Sequence, residues 1–302
     1  MKLAVSGLGR MGAQIAQKLA EGGHDVIAHN RSPEPVTAAE AYGAQPAFTK
    51  DEVVAAFGDE TPIVWLMIPA NVIDDELDSW LEILPAGSIL IDGGNSDYRG
   101  DAARAERAAA KGMALLDIGT SGGIWGYERG FSMMAGGDKT SYIQLIPALD
   151  TLAAPGGAHD HFGPSGAGHY VKMVHNAIEY GMMESLAEGY RMLKEGPYKN
   201  IDLASAGDVW EKNSVITSWL NDLTRQALHE NPLMEDIEGV VAESGEARWT
   251  LETADELGIP LPSIQASFDV RLASQKGETT FATKLLAAMR NKFGGHNIQG
   301  KQ

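Results

Sequence analysis

The sequence contains no cysteine. Disulfides, thiolate catalysis and cysteine-ligated zinc are therefore excluded. Basic residues are scarce: 24 Lys and Arg stand against 41 Asp and Glu, a formal net charge of -17. Such a surface argues against nucleic acid or an anionic membrane as partner. It would also repel an anionic small molecule, so any anionic substrate needs a local cluster of Arg, Lys and His. Long apolar runs are missing too. No stretch approaches the roughly eighteen residues of a membrane span. The opening "MKLAVSGLGRMG" lacks the apolar core and cleavage site of a secretory signal, which leaves a cytoplasmic location as the default expectation. What is present is an ordinary apolar fraction of 44% over 302 residues, enough for a large core and for two domains.

Short apolar runs alternate with amphipathic segments in the first half. "KLAVSG", "DVIAHN", "IVWLMI", "SILIDGG" and "MALLDIG" read as buried strands ending in turn residues. "GAQIAQKLAEGG" and "DAARAERAAAKG" between them read as helices. This alternation predicts an α/β architecture with a doubly wound parallel sheet. "APGGAHDHFGPSGAG" reads as a glycine-rich loop carrying His159 and His161. Beyond it, "HYVKMVHNAIEYGMMESLAEGYRMLKE", "SVITSWLNDLTRQALHE", "RWTLETADELG", "PSIQASFDVRLASQ" and "TFATKLLAAMRNKFGG" read as helices, with almost no strand. The expected domains are 1–164, doubly wound, and 165–302, all-helical with a polar tail.

"GLGRMG" follows the first strand and opens a helix. Gly7 permits the tight turn, Gly9 lets a pyrophosphate approach the backbone, and Gly12 lets helix and strand pack closely. In this position the motif predicts a Rossmann-type dinucleotide site built on Gly7, Leu8, Gly9, Arg10, Met11 and Gly12. Carboxylates that bond ribose hydroxyls of NAD usually end the second strand. Here Asn30, Arg31 and Ser32 do so. With a guanidinium and no carboxylate to repel a 2′-phosphate, NADP is favoured. Arg31 stacking on adenine would leave NAD possible. Met67 and Ile68, ending another strand, and Asn95 in "IDGGNS" complete the expected cofactor contacts. "IDGGNS" and "DIGTSGGIWG" are glycine-rich loops after strands, where such sheets border their ligand crevice. They offer Asn95, Thr120 and Ser121 as polar groups.

"VKMVHNAIEY" (171–180) puts Val171, Val174 and Ile178 on one stripe and Lys172, His175, Asn176 and Glu179 on the other. One helix thus gathers a potential base, an imidazole, an amide and a carboxylic acid. A lysine facing a pocket, partly desolvated and beside other cations, acquires a lowered pKa suited to a base. Glu179, two turns on, supplies the complementary acid. No persuasive metal cluster is offered, since His159 and His161 lack a clear third ligand.

The glycine fingerprint, "DIGTSGG" and the run Gly163, Gly166, Gly168, Lys172, Asn176 resemble the β-hydroxyacid dehydrogenases. Within them, "IDGGNS", "GHYVKMVHNAIEYG" and "RNKFGGH" resemble the short-chain form of the decarboxylating 6-phosphogluconate dehydrogenases, over essentially the whole chain. Relatives acting on hydroxyisobutyrate or tartronate semialdehyde continue the lysine motif with two asparagines instead of His175–Asn176. The resemblance implies NAD(P)-linked oxidation and decarboxylation of 6-phosphogluconate to ribulose 5-phosphate and CO2, without a metal, in the pentose phosphate pathway. It assigns Lys172 as base and Glu179 as acid, with His175 and Asn176 beside them. It further implies substrate contacts from Asn95, Ser121, Gly122, Gly123, His175, Asn176 and Tyr180, and a phosphate contact from Arg271. Arg290 and His296 match residues that reach a neighbouring subunit's site, implying a homo-oligomer, dimer or tetramer, with tail-shared active sites. Two positions depart from the pattern: Ser244 and Pro69 stand where lysines are frequent. The rival readings are a dehydrogenase of a smaller 3-hydroxy acid, which needs no phosphate-holding Arg271, and a non-catalytic dinucleotide-binding module, which needs neither Lys172 nor Glu179.

Overall fold

The computed structural model describes residues 1–295. The chain divides into two compact units, the first Met1–Met173 and the second beginning at Val174.

The first unit runs β1 (Lys2–Ser6), α1 (Arg10–Glu21), β2 (Asp25–His29), α2 (Pro33–Ala39), β3 (Gln45–Ala47), α3 (Lys50–Phe57), β4 (Ile63–Leu66) and α4 (Ile73–Leu81). It continues with β5 (Ile89–Asp92), α5 (Asp101–Ala110), β6 (Ala114–Ser121), α6 (Gly126–Arg129), β7 (Ser132–Gly137), α7 (Lys139–Ala153) and β8 (Ala158–Gly163). One sheet orders them β3-β2-β1-β4-β5-β6-β7-β8. All neighbours are parallel except β6 and β7, which pair antiparallel, so the sheet is mixed where a parallel one was expected. The reason is local: α6 is a single turn, and so short a link returns the chain beside β6 in the opposite sense.

Both faces of this sheet are covered, and the strands show why. "IVWL" and "ILID" are buried at every position. In β1, Leu3 and Val5 join one core with Ile15, Leu19, Trp65 and Leu149. Ala4 joins the opposite core with Ile27, Phe57, Trp80 and Leu90. Each large side chain so buried contributes about 1.5–3 kcal/mol. The expected glycine-rich loop around His159 and His161 is instead β8. His159 bonds the Tyr142 hydroxyl at 2.7 Å and Asp150 at 2.9 Å, and His161 meets the Gly137 carbonyl at 2.8 Å. Strand pairing with β7 and these partners hold the segment extended.

Helix α8 (Ala167–Glu195) crosses the division between the units without a break. The second unit continues with α9 (Leu203–Trp210), α10 (Trp219–Glu230), α11 (Glu246–Leu257), α12 (Pro262–Gln275) and α13 (Phe281–Gly294), with no strand among the described residues. Its core packs Tyr190, Leu220, Leu228, Leu285, Leu286 and Met289. The helix expected from Ser214 begins only at Trp219, because the Ser218 hydroxyl accepts from Asn221 N–H and caps it there. Ser214 and Thr217 instead donate to the Trp210 carbonyl, closing the end of α9. None of the described helices is long and apolar enough to cross a membrane.

Candidate active site

The expected cofactor residues of the first unit gather at the carboxyl ends of adjacent strands: Gly7–Gly12 after β1, Asn30–Ser32 after β2, Met67 and Ile68 after β4, and Asn95 after β5. Chain order reverses between β1 and β4, which is where open α/β sheets bind ligands. Gly7 has φ +99°, and a Cβ there would lie 2.5 Å from the Met67 carbonyl oxygen. A Cβ on Gly12 would overlap the Gly7 carbonyl, whereas one on Gly9 would meet nothing within 4 Å. Gly7 and Gly12 thus allow close packing, and Gly9 leaves open backbone. Gly9 caps α1 without a side-chain hydrogen bond, and the first turn of α1 holds no acidic residue. An uncovered, acid-free helix N-terminus fits a pyrophosphate. Asn30 shapes this rim, its carbonyl oxygen accepting from Leu8 N–H at 3.0 Å, while Arg31 and Ser32 are exposed.

After β6 the chain turns through Gly122 (φ +139°) and Gly123 (φ +54°), conformations that only glycine adopts without strain. This brings Ser121, Gly122 and Gly123 to a half-buried rim. Lys172, on the second turn of α8, is only 6% exposed. Its aliphatic stem lies directly against Gly119 of β6, where a Cβ would come within 2.7 Å of the lysine Cγ.

In the second unit, His175 Nδ1 lies 3.0 Å from the Asn176 side-chain oxygen, and the Asn176 amide donates to Glu246 at 2.9 Å. The Tyr180 hydroxyl meets both the Ser244 hydroxyl and the Ser244 N–H at 3.3 Å. Arg271 is 1% exposed and lies 3.3 Å over the Tyr180 ring. Its hydrogen-bond acceptors are distant, the Ala242 carbonyl at 3.4 Å and the Met183 sulfur at 3.7 Å, and the charges of Glu179 and Glu184 also act on it. Burial lowers its pKa to about 10, with the charge of Arg290 acting in the same direction. Two buried guanidiniums that repel each other suit a dianion. Burial likewise pushes the Glu184 carboxyl to about 7, helped by Glu188.

The burial along α8 is the reverse of a surface helix. Lys172, Asn176 and Tyr180 are buried, whereas Ile178 is 52% exposed. The polar stripe packs inward because its groups find partners there, and part of the apolar stripe faces outward.

Residues 2–166 match the family profile described as the NAD binding domain of 6-phosphogluconate dehydrogenase. Residues 168–296 match that of the 6-phosphogluconate dehydrogenase C-terminal domain. The chain belongs to the 6-phosphogluconate dehydrogenase family. A Haloferax volcanii relative named NAD(+)-dependent, decarboxylating 6-phosphogluconate dehydrogenase is 40% identical over 100% of this chain and 99% of its own length. The decarboxylating 6-phosphogluconate dehydrogenase of Synechococcus elongatus is 33% identical over 93% of this chain, which spans 63% of that longer protein. Among solved structures, Plasmodium falciparum 6-phosphogluconate dehydrogenase, described as apo, with NADP+ and with 6-phosphogluconate, superposes with a TM-score of 0.83 at 29% identity. That match covers 92% of this chain and 63% of the other.

Within this member of the 6-phosphogluconate dehydrogenase family, several buried polar residues were not anticipated. Asp117 interrupts the apolar run of β6 and accepts from Gly166 N–H at 2.9 Å and His169 N–H at 3.0 Å. A carboxylate inside a strand otherwise apolar was the available signal. Glu246, the partner of Asn176, gave none, since its role depends on a contact seventy residues distant. Asp92, Asp101 and His169 bring one ligand atom each to within 4.8 Å of one another. Their known partners are protein groups: Ser96 and Gly94 for Asp92, His169 and Arg104 for Asp101. His296 lies outside the described residues.

Proposed function

We infer that the protein oxidatively decarboxylates 6-phosphogluconate to ribulose 5-phosphate and CO2 with a nicotinamide dinucleotide. The observation that carries this reading is the single helix α8, which bears a buried lysine followed by His175, Asn176, Glu179 and Tyr180. Seven residues separate Lys172 from Glu179, about two helical turns along one face.

Lys172 takes the proton of the C3 hydroxyl as the C3 hydrogen departs as hydride. The bound dinucleotide, held by Gly7–Gly12, Asn30–Ser32, Met67, Ile68 and Asn95, is the hydride acceptor. The product is a 3-keto acid. Protonated Lys172 then hydrogen-bonds the ketone oxygen, which receives the electron pair released as CO2 leaves. Glu179 protonates the carbon that lost CO2, C2 of the substrate and C1 of the product, while the enediol hydroxyl returns its proton to Lys172, and ribulose 5-phosphate results. A lysine base and a carboxylic acid in separate environments suit this order of proton transfers. His175 and Asn176 orient the hydroxyls, with Glu246 fixing the Asn176 amide. Asn95, Ser121, Gly122, Gly123 and Tyr180 contact the sugar acid.

Arg271 holds the phosphate, and Tyr180 stacked beneath it fixes the guanidinium plane. Arg271 and Arg290 supply the local positive charge that a chain of net charge -17 otherwise lacks. Arg31 favours NADP over NAD through the 2′-phosphate. The active enzyme is a homo-oligomer in which His296 of one subunit serves a neighbour's site, while Arg290 acts with Arg271 of its own chain. The exposed Ile178 and Met182 on α8 and Val215 and Ile216 nearby in the same unit support association.

The deciding assay measures nicotinamide reduction and CO2 release together. 6-Phosphogluconate should give both in a one-to-one ratio with either dinucleotide. Reduction of dinucleotide by 3-hydroxyisobutyrate but not by 6-phosphogluconate would replace this reading with that of the smaller hydroxy acids.

A further inference from the structure

The geometry points to His169 as a positioning residue for Lys172, held among carboxylates at the first turn of α8. The inference rests on Lys172 being the base, and the experiment below separates the two.

His169 is 2% exposed. Its ring Nδ1 lies 2.7 Å from Asp101. Asp101, 1% exposed, accepts from Arg104 at 3.0 Å, and Arg104 in turn grips Asp74 through two hydrogen bonds of 2.9 and 3.1 Å. The ring therefore ties α8 to α5, and through Arg104 to α4. Its backbone N–H is committed as well, to Asp117 of β6, which also takes Gly166 N–H. The start of α8 is thus fastened at the side chain by one element and at the backbone by another. Tyr170, the next residue, packs edge-on against Tyr98 at 5.1 Å.

Lys172 lies three residues beyond His169, so the two are neighbours on the helix surface. A closely packed helix start is needed for Lys172 to sit where it does. Gly168 lies so near the sheet that a Cβ would approach the Asp117 carbonyl oxygen to 2.5 Å. Loosening His169 would let this first turn lift and carry the lysine with it.

The cluster also bears on Lys172 electrostatically. Asp92 at the end of β5, Asp101 and Arg104 on α5, and Asp117 on β6 face His169, and Lys172 adjoins it on α8. These carboxylates, with the hydrogen bond to Asp101, raise the His169 pKa to about 9 against the opposing cost of burial. The ring is consequently cationic at neutral pH. Removing that positive charge leaves Lys172 beside carboxylates that Arg104 alone then offsets with a full charge, which favours its protonated form.

The test compares His169→Asn and Asp101→Asn with the full-length wild-type enzyme. In His169→Asn, kcat should fall tenfold or more, while KM for 6-phosphogluconate and the Kd for the dinucleotide stay within threefold. The acidic limb of the kcat/KM pH profile should move to higher pH by about half a unit. A merely structural role would leave that limb in place. Asp101→Asn should reproduce the kcat loss without a KM change, and it carries the test if His169→Asn does not fold. A folded variant with near wild-type kcat, or with an unmoved acidic limb in His169→Asn, overturns the proposal. Failure of the underlying reading would show differently, as Lys172→Met retaining turnover.

Discussion

Replacing Gly119 by alanine adds one methyl group at the point where β6 touches the stem of Lys172. The new Cβ would lie 2.7 Å from Lys172 Cγ and closer still to Cβ. Carbon atoms in contact sit about 3.7 Å apart, so at least ~1 Å of separation must be found. The strand has little to give, because Gly119 is paired with Met134 of β7 and β6 is paired with β5 up to Asp117, two residues before it. The helix is pinned too, by the two backbone hydrogen bonds to Asp117 and the glycine contact at 168. Because Lys172 Cβ is fixed to the helix backbone, strand and helix must part to relieve the contact. That carries the amine by about 1 Å, a displacement that costs on the order of 100-fold in rate. Overpacking of this kind also destabilises by about 1–3 kcal/mol. Steady-state kinetics with 6-phosphogluconate should therefore show kcat reduced by about two orders of magnitude. Dinucleotide binding, followed by titration, should stay near wild type, and the melting temperature should drop by several degrees. A Gly119→Ala enzyme that melts as expected yet turns over within threefold of wild type would refute the claim that β6 sets the position of this amine.

Lys172→Met should abolish oxidation while dinucleotide affinity, measured by equilibrium titration, changes little; near wild-type turnover would remove Lys172 from the role of base. Arg31→Ala should shrink the preference for NADP by about ten- to a hundredfold in kcat/KM, the size of one charge-assisted contact of roughly 1.5–3 kcal/mol. A wild-type enzyme that uses NAD as efficiently as NADP would defeat that reading. Glu184 has a folded pKa of about 7 against 4.5, so its favourable contribution is present below 4.5 and is lost as pH rises through 7. Glu184→Gln should accordingly raise the melting temperature at pH 8 and change it little at pH 4.5; equal shifts at both would assign the effect to packing. Mixing Lys172→Met with His296→Ala subunits under conditions of exchange should restore part of the activity if the tail serves a neighbouring site, and none, despite demonstrated exchange, if each chain completes its own.

The parts of the fold that were legible in the sequence are those specified locally. β1, β2, β4 and β5 are short apolar runs and β6 opens with one, and "GLGRMG" fixes the turn between the first strand and its helix. β3 has three residues, and β7 ends in two glycines. β8 carries two histidines and an aspartate on its six positions. Those three strands are held by pairing with neighbours, and single-strand patterns do not report pairing. α9 was missed for the opposite reason, since its only clear start signal is Asp202, whose carboxylate caps Ala204 and Ser205. For the candidate site, the polar stripe of α8 could be read from spacing alone. Its burial could not, because what covers Lys172 is a glycine on β6, and what holds the helix start is an aspartate some fifty residues earlier.

Strand β6 has one further consequence. Asp117, Gly119 and Ser121 alternate onto one face. The first fastens the start of α8, the second seats Lys172, and the third stands at the rim beside Gly122 and Gly123. Their antiparallel partners across β7 are Gly136, Met134 and Ser132. The strand thus works as a measuring stick, each pair of residues advancing about 6.8 Å. A single inserted or deleted residue between 117 and 121 would turn this whole set to the other face. Natural variation in length among such chains should therefore be confined to surface turns, and the interval from Asp117 to Ser121 should keep its count of residues even where their identities drift.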